Sequence, residues 1–167
     1  PTIFCRYPDS QVGHGSGIIK PGVSEQFDYE GELAVIIGRP AFRISVDDAP
    51  GVVAGYAPYN EGSARDWQLK SSQWLAGKSF YRSAGFGPAL VTVDEVPDLD
   101  DQVLTTRVNG EVRQRANIAD LIHTIPEIIS FISQFTPLSP GDVIVSGTPS
   151  GAGLFRDPPE FLQVGDV

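Results

Sequence analysis

Apolar positions along this chain fall in short runs, separated by glycine, proline and serine. Residues 27–38 read Phe-Asp-Tyr-Glu-Gly-Glu-Leu-Ala-Val-Ile-Ile-Gly, beginning with alternating acids and closing as a continuous apolar stretch. That pattern predicts a strand buried on both faces. Residues 52–60, 89–93, 104–108 and 142–146 read as further strands. Asn109-Gly110 is a hairpin turn signal leading into a strand over 111–114. One helix stands out. Thr124-Ile125-Pro126-Glu127 is a capping box with proline in the first turn. Ile125, Ile128, Ile129, Ile132 and Phe135 then make one apolar stripe, which Pro137 ends. A looser helical spacing covers 63–74, and Ser45 with two following acids predicts one short turn of helix limited by Pro50 and Gly51. The first 24 residues read as loop with short extended pieces, and 77–88 as loop.

These elements predict a mainly β fold with a few helices, and the composition agrees. There are 18 glycines and 14 prolines among 167 residues, the punctuation of many turns. That length suits one domain. Twelve basic residues against twenty-one acidic ones leave a net charge of −9, a field that repels nucleic acid and anionic membranes. No apolar run approaches the roughly 18 residues of a membrane span, and no signal-peptide pattern opens the chain. Cytoplasm is the default location. The single cysteine, Cys5, excludes an intramolecular disulfide and a cysteine-based zinc site.

The candidate chemistry is acidic. Glu30 and Glu32 are two residues apart on a predicted strand, so both point to one face. Two carboxylates there repel unless water or a divalent cation stands between them, and hard oxygen ligands suit Mg²⁺, Mn²⁺ or Ca²⁺. Solvated acids on an edge strand are the plainer alternative. Glu61 adds a third carboxylate at a strand-to-helix junction, and Arg65 and Gln68 share its face if 63–74 is helical. An arginine fork beside a metal suits a 2-oxo carboxylate; a simple Glu61–Arg65 helix pair is the alternative. Lys78 offers an ammonium to a carboxylate or a developing oxyanion, or is merely solvated. The turn at 147–153, Gly-Thr-Pro-Ser-Gly-Ala-Gly, can present backbone N–H groups to an anion but lacks the lysine of a phosphate loop. His14 and His123, the only histidines, read as structural or surface residues, which leaves a serine–histidine–acid triad little to build on.

Taken together and in order, these pieces resemble the fumarylacetoacetate hydrolase family. The hallmarks are Tyr-Glu-x-Glu-Leu-Ala-Val-x-Ile-Gly at 29–38, and Gly-Tyr-x-x-x-Asn-Asp-x-Ser-Ala-Arg-Asp-x-Gln at 55–68. A Lys-x-Phe stretch ending in Gly-Pro follows at 78–88, and then Gly-Thr-Pro-x-Gly-x-Gly at 147–153. The resemblance runs from Pro1 to Val167. It implies a mixed β-sandwich roll, a homodimer, and Mg²⁺ or Mn²⁺, with Ca²⁺ as a third option. It places the metal on Glu30, Glu32 and Glu61, and the substrate on Arg65, Gln68, Lys78 and the backbone at Thr148, with Lys78 and Arg65 the catalytic groups.

The activity implied is hydrolysis of a carbon–carbon bond in a small acylpyruvate or diketo acid through a metal-stabilised enolate. Decarboxylation, isomerisation or hydration of a 2-oxo acid is the alternative within the family, and a catalytically degenerate binding protein the alternative outside it. The sequence departs from the pattern in three places. Glu61 stands where the family has aspartate, and Tyr81 where it commonly has an acid. Neither histidine begins the His-x-x-Glu pair of hydrolytic members. The expectation is a single catalytic domain over 1–167 whose lid helix and closing strands lie outside this chain.

Overall fold

The apolar run after Glu32 lies at the middle of a sheet. In this computed structural model, which describes residues 2–167, β1 (Gln11–Gly13) and β2 (Phe27–Asp28) precede β3 (Gly31–Ile37). Next come β4 (Val53–Asn60), β5 (Ser63–Ala64), α1 (Arg65–Gln68), α2 (Leu75–Lys78), β6 (Ala84–Phe86) and β7 (Val91–Thr92). The chain continues through β8 (Val103–Val108), β9 (Glu111–Asn117), α3 (Ile125–Ser133) and β10 (Val143–Val145). Pro1, the first residue of the resembling stretch, lies outside the described residues.

The main sheet has the order β1-β6-β4-β3-β10, with β7 also paired to β4. It is mixed, since β1 and β6 run parallel while β4 pairs antiparallel with β3 and β6. β2 and β5 form a separate short pair, and β8 and β9 form a hairpin. The mainly β roll with few helices expected from the sequence is the fold observed. All seven residues of β3 are buried, as the continuous apolar run predicts.

The two faces of β3 meet different partners. Leu33, Val35 and Ile37 join an apolar cluster with Ile125, Ile129, Leu138 and Ile144. Ala34 and Ile36 belong to a smaller cluster with Ala57, Tyr59 and Ala84. The capping box of α3 is present in full: the Thr124 hydroxyl accepts from the Glu127 N–H, and the Glu127 carboxylate accepts from the Thr124 N–H. Asn109 and Gly110 take φ of 53° and 82°, the left-handed pair that a two-residue hairpin turn needs.

Several sequence expectations shift. Residues 63–74 are not one helix: β5 occupies the start, α1 is a single turn, and α2 begins only at Leu75. Mixed spacing over that stretch reflects a short strand, one helical turn and a loop, not one apolar stripe. The expected loop at 77–88 contains the end of α2 and all of β6. The short helix near Ser45 forms later, as a 3-10 turn over Ala49–Val52. Phe135 falls beyond α3 and is exposed, so the stripe stops at Ile132.

Candidate metal and substrate site

Asp28, Glu30 and Glu32 follow one another at alternate positions along β2, the bend after it and β3. β3 and β4 pair Gly31 with Asn60 and Glu32 with Tyr59, which carries Glu61 opposite Glu30. The Glu61 N–H donates to the Glu30 carbonyl at 2.8 Å and fixes that juxtaposition. One carboxylate oxygen from each of Glu30, Glu32 and Glu61 lies within 4.8 Å of the other two, and all three residues are buried. The intervening glycine is required by packing: a Cβ at Gly31 would come 1.9 Å from Thr106 Oγ1 on the hairpin.

The cations are also buried. Lys78 closes α2, and its ammonium sits between Glu30 and Glu61, contacting both. This is not the free loop lysine of the sequence reading; it is 2% exposed. Arg65 does not pair with Glu61 along a helix, because Glu61 precedes β5 and lies outside α1. Instead Nε donates to Asp28 at 2.8 Å and Nη1 donates to the Gln68 amide oxygen at 3.0 Å, while Nη1 also stands 2.7 Å from a Glu30 carboxylate oxygen as an ion pair. Arg65 Nη2 is buried with no hydrogen-bond partner among the described residues. Glu61 meets a second cation, Arg6, at 3.6 Å.

Among the described residues, four carboxylates (Asp28, Glu30, Glu32, Glu61) thus face three cations (Arg6, Arg65, Lys78), and Glu32 is the one without a cation in contact. Its environment follows from that. Burial, then the charges of Glu61 and Glu30, push the Glu32 carboxyl up to about 9. Burial alone would also raise Glu30, but the charges of Lys78 and Arg65 outweigh it and hold that carboxyl below its ordinary value. A divalent cation at the trio would supply the charge that Glu32 now takes from a proton. Oxygen ligands on one hard dication stand up to about 5 Å apart, so carboxylate oxygens all within 4.8 Å of one another can share one ion. Glu61 reaches the cluster despite its extra methylene. The residues present therefore fit a hard dication.

The glycine-rich turn closes the site from β10. Gly147 N–H donates to Glu32 at 2.5 Å, and the Thr148 hydroxyl donates to the Gly31 carbonyl at 2.9 Å. Gly153 and Leu154, at and just past the turn's end, give their N–H groups to Asp28 at 2.8 and 3.0 Å. The backbone of the turn therefore serves protein carboxylates at these positions and is less open to an anion than the sequence suggests. Gln114, fully buried on β9, accepts from Gly31 N–H and donates to Thr148 Oγ1 and the Pro149 carbonyl, tying the acidic strand to the turn. The sequence reading missed Gln114, Asp28, Arg6 and Ser63, whose hydroxyl donates to Glu30 at 2.7 Å. A signal existed for Asp28, where the acidic alternation begins, and for Ser63, which stands inside the motif at 55–68.

Comparison with known proteins bears on this arrangement. A family model described as fumarylacetoacetate (FAA) hydrolase C-terminal matches residues 1–167. Oxaloacetate tautomerase FAHD2A, mitochondrial, of Bos taurus is 45% identical, over 99% of this chain and 54% of that protein. The chain spans about half the length of the curated relatives it matches. The fumarylacetoacetate hydrolase of Exiguobacterium antarcticum superposes with a TM-score of 0.94 at 39% identity, covering 98% of this chain and 59% of that one. Fumarylpyruvate hydrolase of Pseudomonas aeruginosa, solved with Mn²⁺ and pyruvate, gives a TM-score of 0.86 at 32% identity, over 98% and 70% of the two chains.

Proposed function

The chain belongs to the fumarylacetoacetate hydrolase family, and from that premise we propose that it catalyses keto–enol tautomerisation of a small 2-oxo diacid of the oxaloacetate type. Glu30, Glu32 and Glu61 would hold Mg²⁺ or Mn²⁺, with Ca²⁺ a geometric alternative. The observation that carries the reading is the buried, unpartnered Nη2 of Arg65 beside a trio of buried carboxylates. An anionic ligand that brings its own oxygen donors satisfies both. The bound cation would act as a Lewis acid, polarising the 2-oxo group and offsetting negative charge that develops on its oxygen.

The chain's own residues do the rest. Arg65 Nη2 receives the substrate carboxylate, and because Nε and Nη1 are already committed, the fork meets it in one orientation. Gln68 holds Nη1 through its amide oxygen, which would leave its amide nitrogen to donate to the ligand. Lys78 Nζ, buried between Glu30 and Glu61, would give a proton to C3 of the enol and recover one from the 2-oxygen, ending as the ammonium it began. Thr148 shapes the rim: its hydroxyl is spent on Gly31, which leaves its backbone for the substrate.

Carbon–carbon hydrolysis of an acylpyruvate is the second reading, favoured by the likeness to fumarylpyruvate hydrolase. Both reactions place negative charge on the same oxygen. The test is product analysis on the complete protein with Mg²⁺, supplying enol oxaloacetate and an acylpyruvate in parallel. Faster conversion of the enol, lost in Glu30→Ala, is the expected result. Cleavage of the acylpyruvate with no effect on the enol would replace tautomerisation by hydrolysis, and neither activity would leave a binding protein. We propose a homodimer on the family resemblance. No helix among the described residues is long and apolar enough to cross a membrane. A mitochondrial location stands beside the cytoplasmic one, since the Bos taurus relative carries that word in its name.

A further inference from the structure

Asp28 is fully buried, and four N–H groups converge on its carboxylate. Tyr29 and Gly153 donate to Oδ1 at 2.8 Å each, and Arg65 Nε and Leu154 donate to Oδ2 at 2.8 and 3.0 Å. A carboxylate has about four lone-pair sites, and here all are used. We propose that Asp28 is a positioning residue that orients the Arg65 guanidinium and locks it to the turn that begins at Gly153. This rests on the reading of Arg65 as the group that holds the substrate carboxylate.

The donor geometry of arginine carries the inference. A guanidinium has five N–H groups in a rigid plane. One is fixed by Asp28, and Nη1 is shared between Glu30 and Gln68. With those bonds made, the plane cannot rotate, and the two N–H groups of Nη2 remain, buried and unpartnered. Asp28 contacts Nε, the nitrogen nearest the stem, so it sets the plane before any ligand arrives. Glu30 alone could not, since it also answers to Lys78 and Ser63.

The same carboxylate fixes the other wall. The 3-10 turn Gly153–Phe155 hangs from Asp28 by two N–H groups, and a Cβ at Gly153 would lie 2.7 Å from Asp28 Oδ1 and 1.9 Å from the Glu160 carbonyl. Phe155, in that turn, puts its ring centroid 6.0 Å from the Arg65 guanidinium carbon while most of its surface stays exposed. Asp28 thereby sets the spacing between the buried fork and an aromatic lip outside it. Its four hydrogen bonds go to Tyr29, Gly153, Arg65 and Leu154, and none to a member of the trio. Removing it should disturb carboxylate capture and leave the cation site alone.

The experiment compares Asp28→Asn, Arg65→Ala and the double variant in the complete protein, measuring Mn²⁺ affinity and then oxalate affinity of the Mn²⁺-loaded form. Asn keeps the shape but turns an N–H₂ toward the donors on Oδ2. Each single variant is expected to weaken oxalate by about tenfold, the worth of one charge-assisted hydrogen bond. Asp28→Asn should hold Mn²⁺ affinity within about threefold and add less than about twofold in the Arg65→Ala background, the signature of coupled residues. If Asp28→Asn leaves oxalate affinity unchanged while Arg65→Ala weakens it, the positioning role is overturned and the reading of Arg65 survives. An equal loss from Asp28→Asn with and without Arg65 also overturns it, in favour of a general structural role. If Arg65→Ala has no effect, the reading of Arg65 fails and the inference falls with it. Should Asp28→Asn not fold, Asp28→Glu, which keeps the charge and displaces the carboxylate by one methylene, is judged by the same criteria.

Discussion

Leu33, Val35 and Ile37 on β3 pack into an apolar cluster with Ile125 and Ile129 of α3, whereas Glu30 and Glu32 look out of the opposite face toward Glu61, Lys78 and the turn at Gly147. The first face needs nothing beyond the chain, because each apolar side chain it buries is stabilised by the burial itself. The second face buries charge, and its cohesion depends on countercharges contributed by separate elements. Arg65 comes from α1, Lys78 from α2, and Arg6 from the segment before β1. Even so, one carboxylate is left over. One strand thus carries a self-sufficient apolar core on one side and, on the other, a buried acidic cluster whose charges are balanced from separate elements.

Perturbing each face separately should separate these two kinds of cohesion. Lys78→Met removes the ammonium between Glu30 and Glu61 and should cost about 3–5 kcal/mol of stability in metal-free protein, the penalty of leaving buried charges unpaired. Urea unfolding with and without Mg²⁺ checks this, and a much smaller loss in saturating Mg²⁺ is expected because the dication takes over the missing charge. An equal loss in both conditions would mean that Mg²⁺ does not sit among these carboxylates. On the apolar face, Ile129→Ala should cost about 2–5 kcal/mol through lost burial and a residual cavity. That loss should be the same with and without Mg²⁺.

The difference between the faces also accounts for what was legible in the sequence. The apolar face announces itself through local pattern. The run after Glu32, the capping box at Thr124, the hairpin turn at Asn109-Gly110 and most strands are found close to where they were expected. Glu30, Glu32 and Glu61 were legible too, because alternation and family spacing are local signals. The partners of those acids were not. Lys78 reads as a loop lysine until two one-turn helices pack together, and Gln114 as an ordinary strand residue until the hairpin folds onto Gly31. Their roles arise from contacts between residues distant in the chain. The helix expected over 63–74 failed for a related reason: α1 and α2 are held by tertiary contacts and are too short to be stable by propensity.

Metal addition should give an effect of intermediate size. At a hundred times its dissociation constant, Mg²⁺ should stabilise the protein by about 2.7 kcal/mol. Protons compete for the same place. Glu32 in the folded, metal-free protein is pushed up to about 9 from an ordinary 4.5, so across that window the folded state binds a proton that the unfolded chain has lost. The Glu32 contribution to metal-free stability should therefore be complete below about 4.5 and decline as pH rises toward 9. The gain from a fixed Mg²⁺ concentration should grow over the same window, since binding must displace the proton. Thermal unfolding at pH 6 and pH 8, with and without Mg²⁺, reads both slopes; a Mg²⁺ gain that does not change with pH would remove Glu32 from the ligand set.

The smallest effect belongs to the start of α3, on the apolar side, and it has the opposite pH sign. Thr124→Ala deletes the hydroxyl that accepts from the Glu127 N–H and should cost about 1 kcal/mol, the ordinary worth of an N-cap. Glu127 is held below its ordinary 4.5 by the Thr124 backbone N–H and then by the Thr124 hydroxyl. A depressed carboxyl contributes stability that is present above its unfolded value and lost as pH falls through its folded one. Acidification below about 4.5 should thus weaken the cap, while the Glu32 contribution to metal-free protein is already complete there. The cost of Thr124→Ala should shrink on the acid side only, with no response to Mg²⁺. A Mg²⁺-dependent change in the cost of Thr124→Ala would show that the two faces of β3 are coupled, and the separation drawn between core and site would fail.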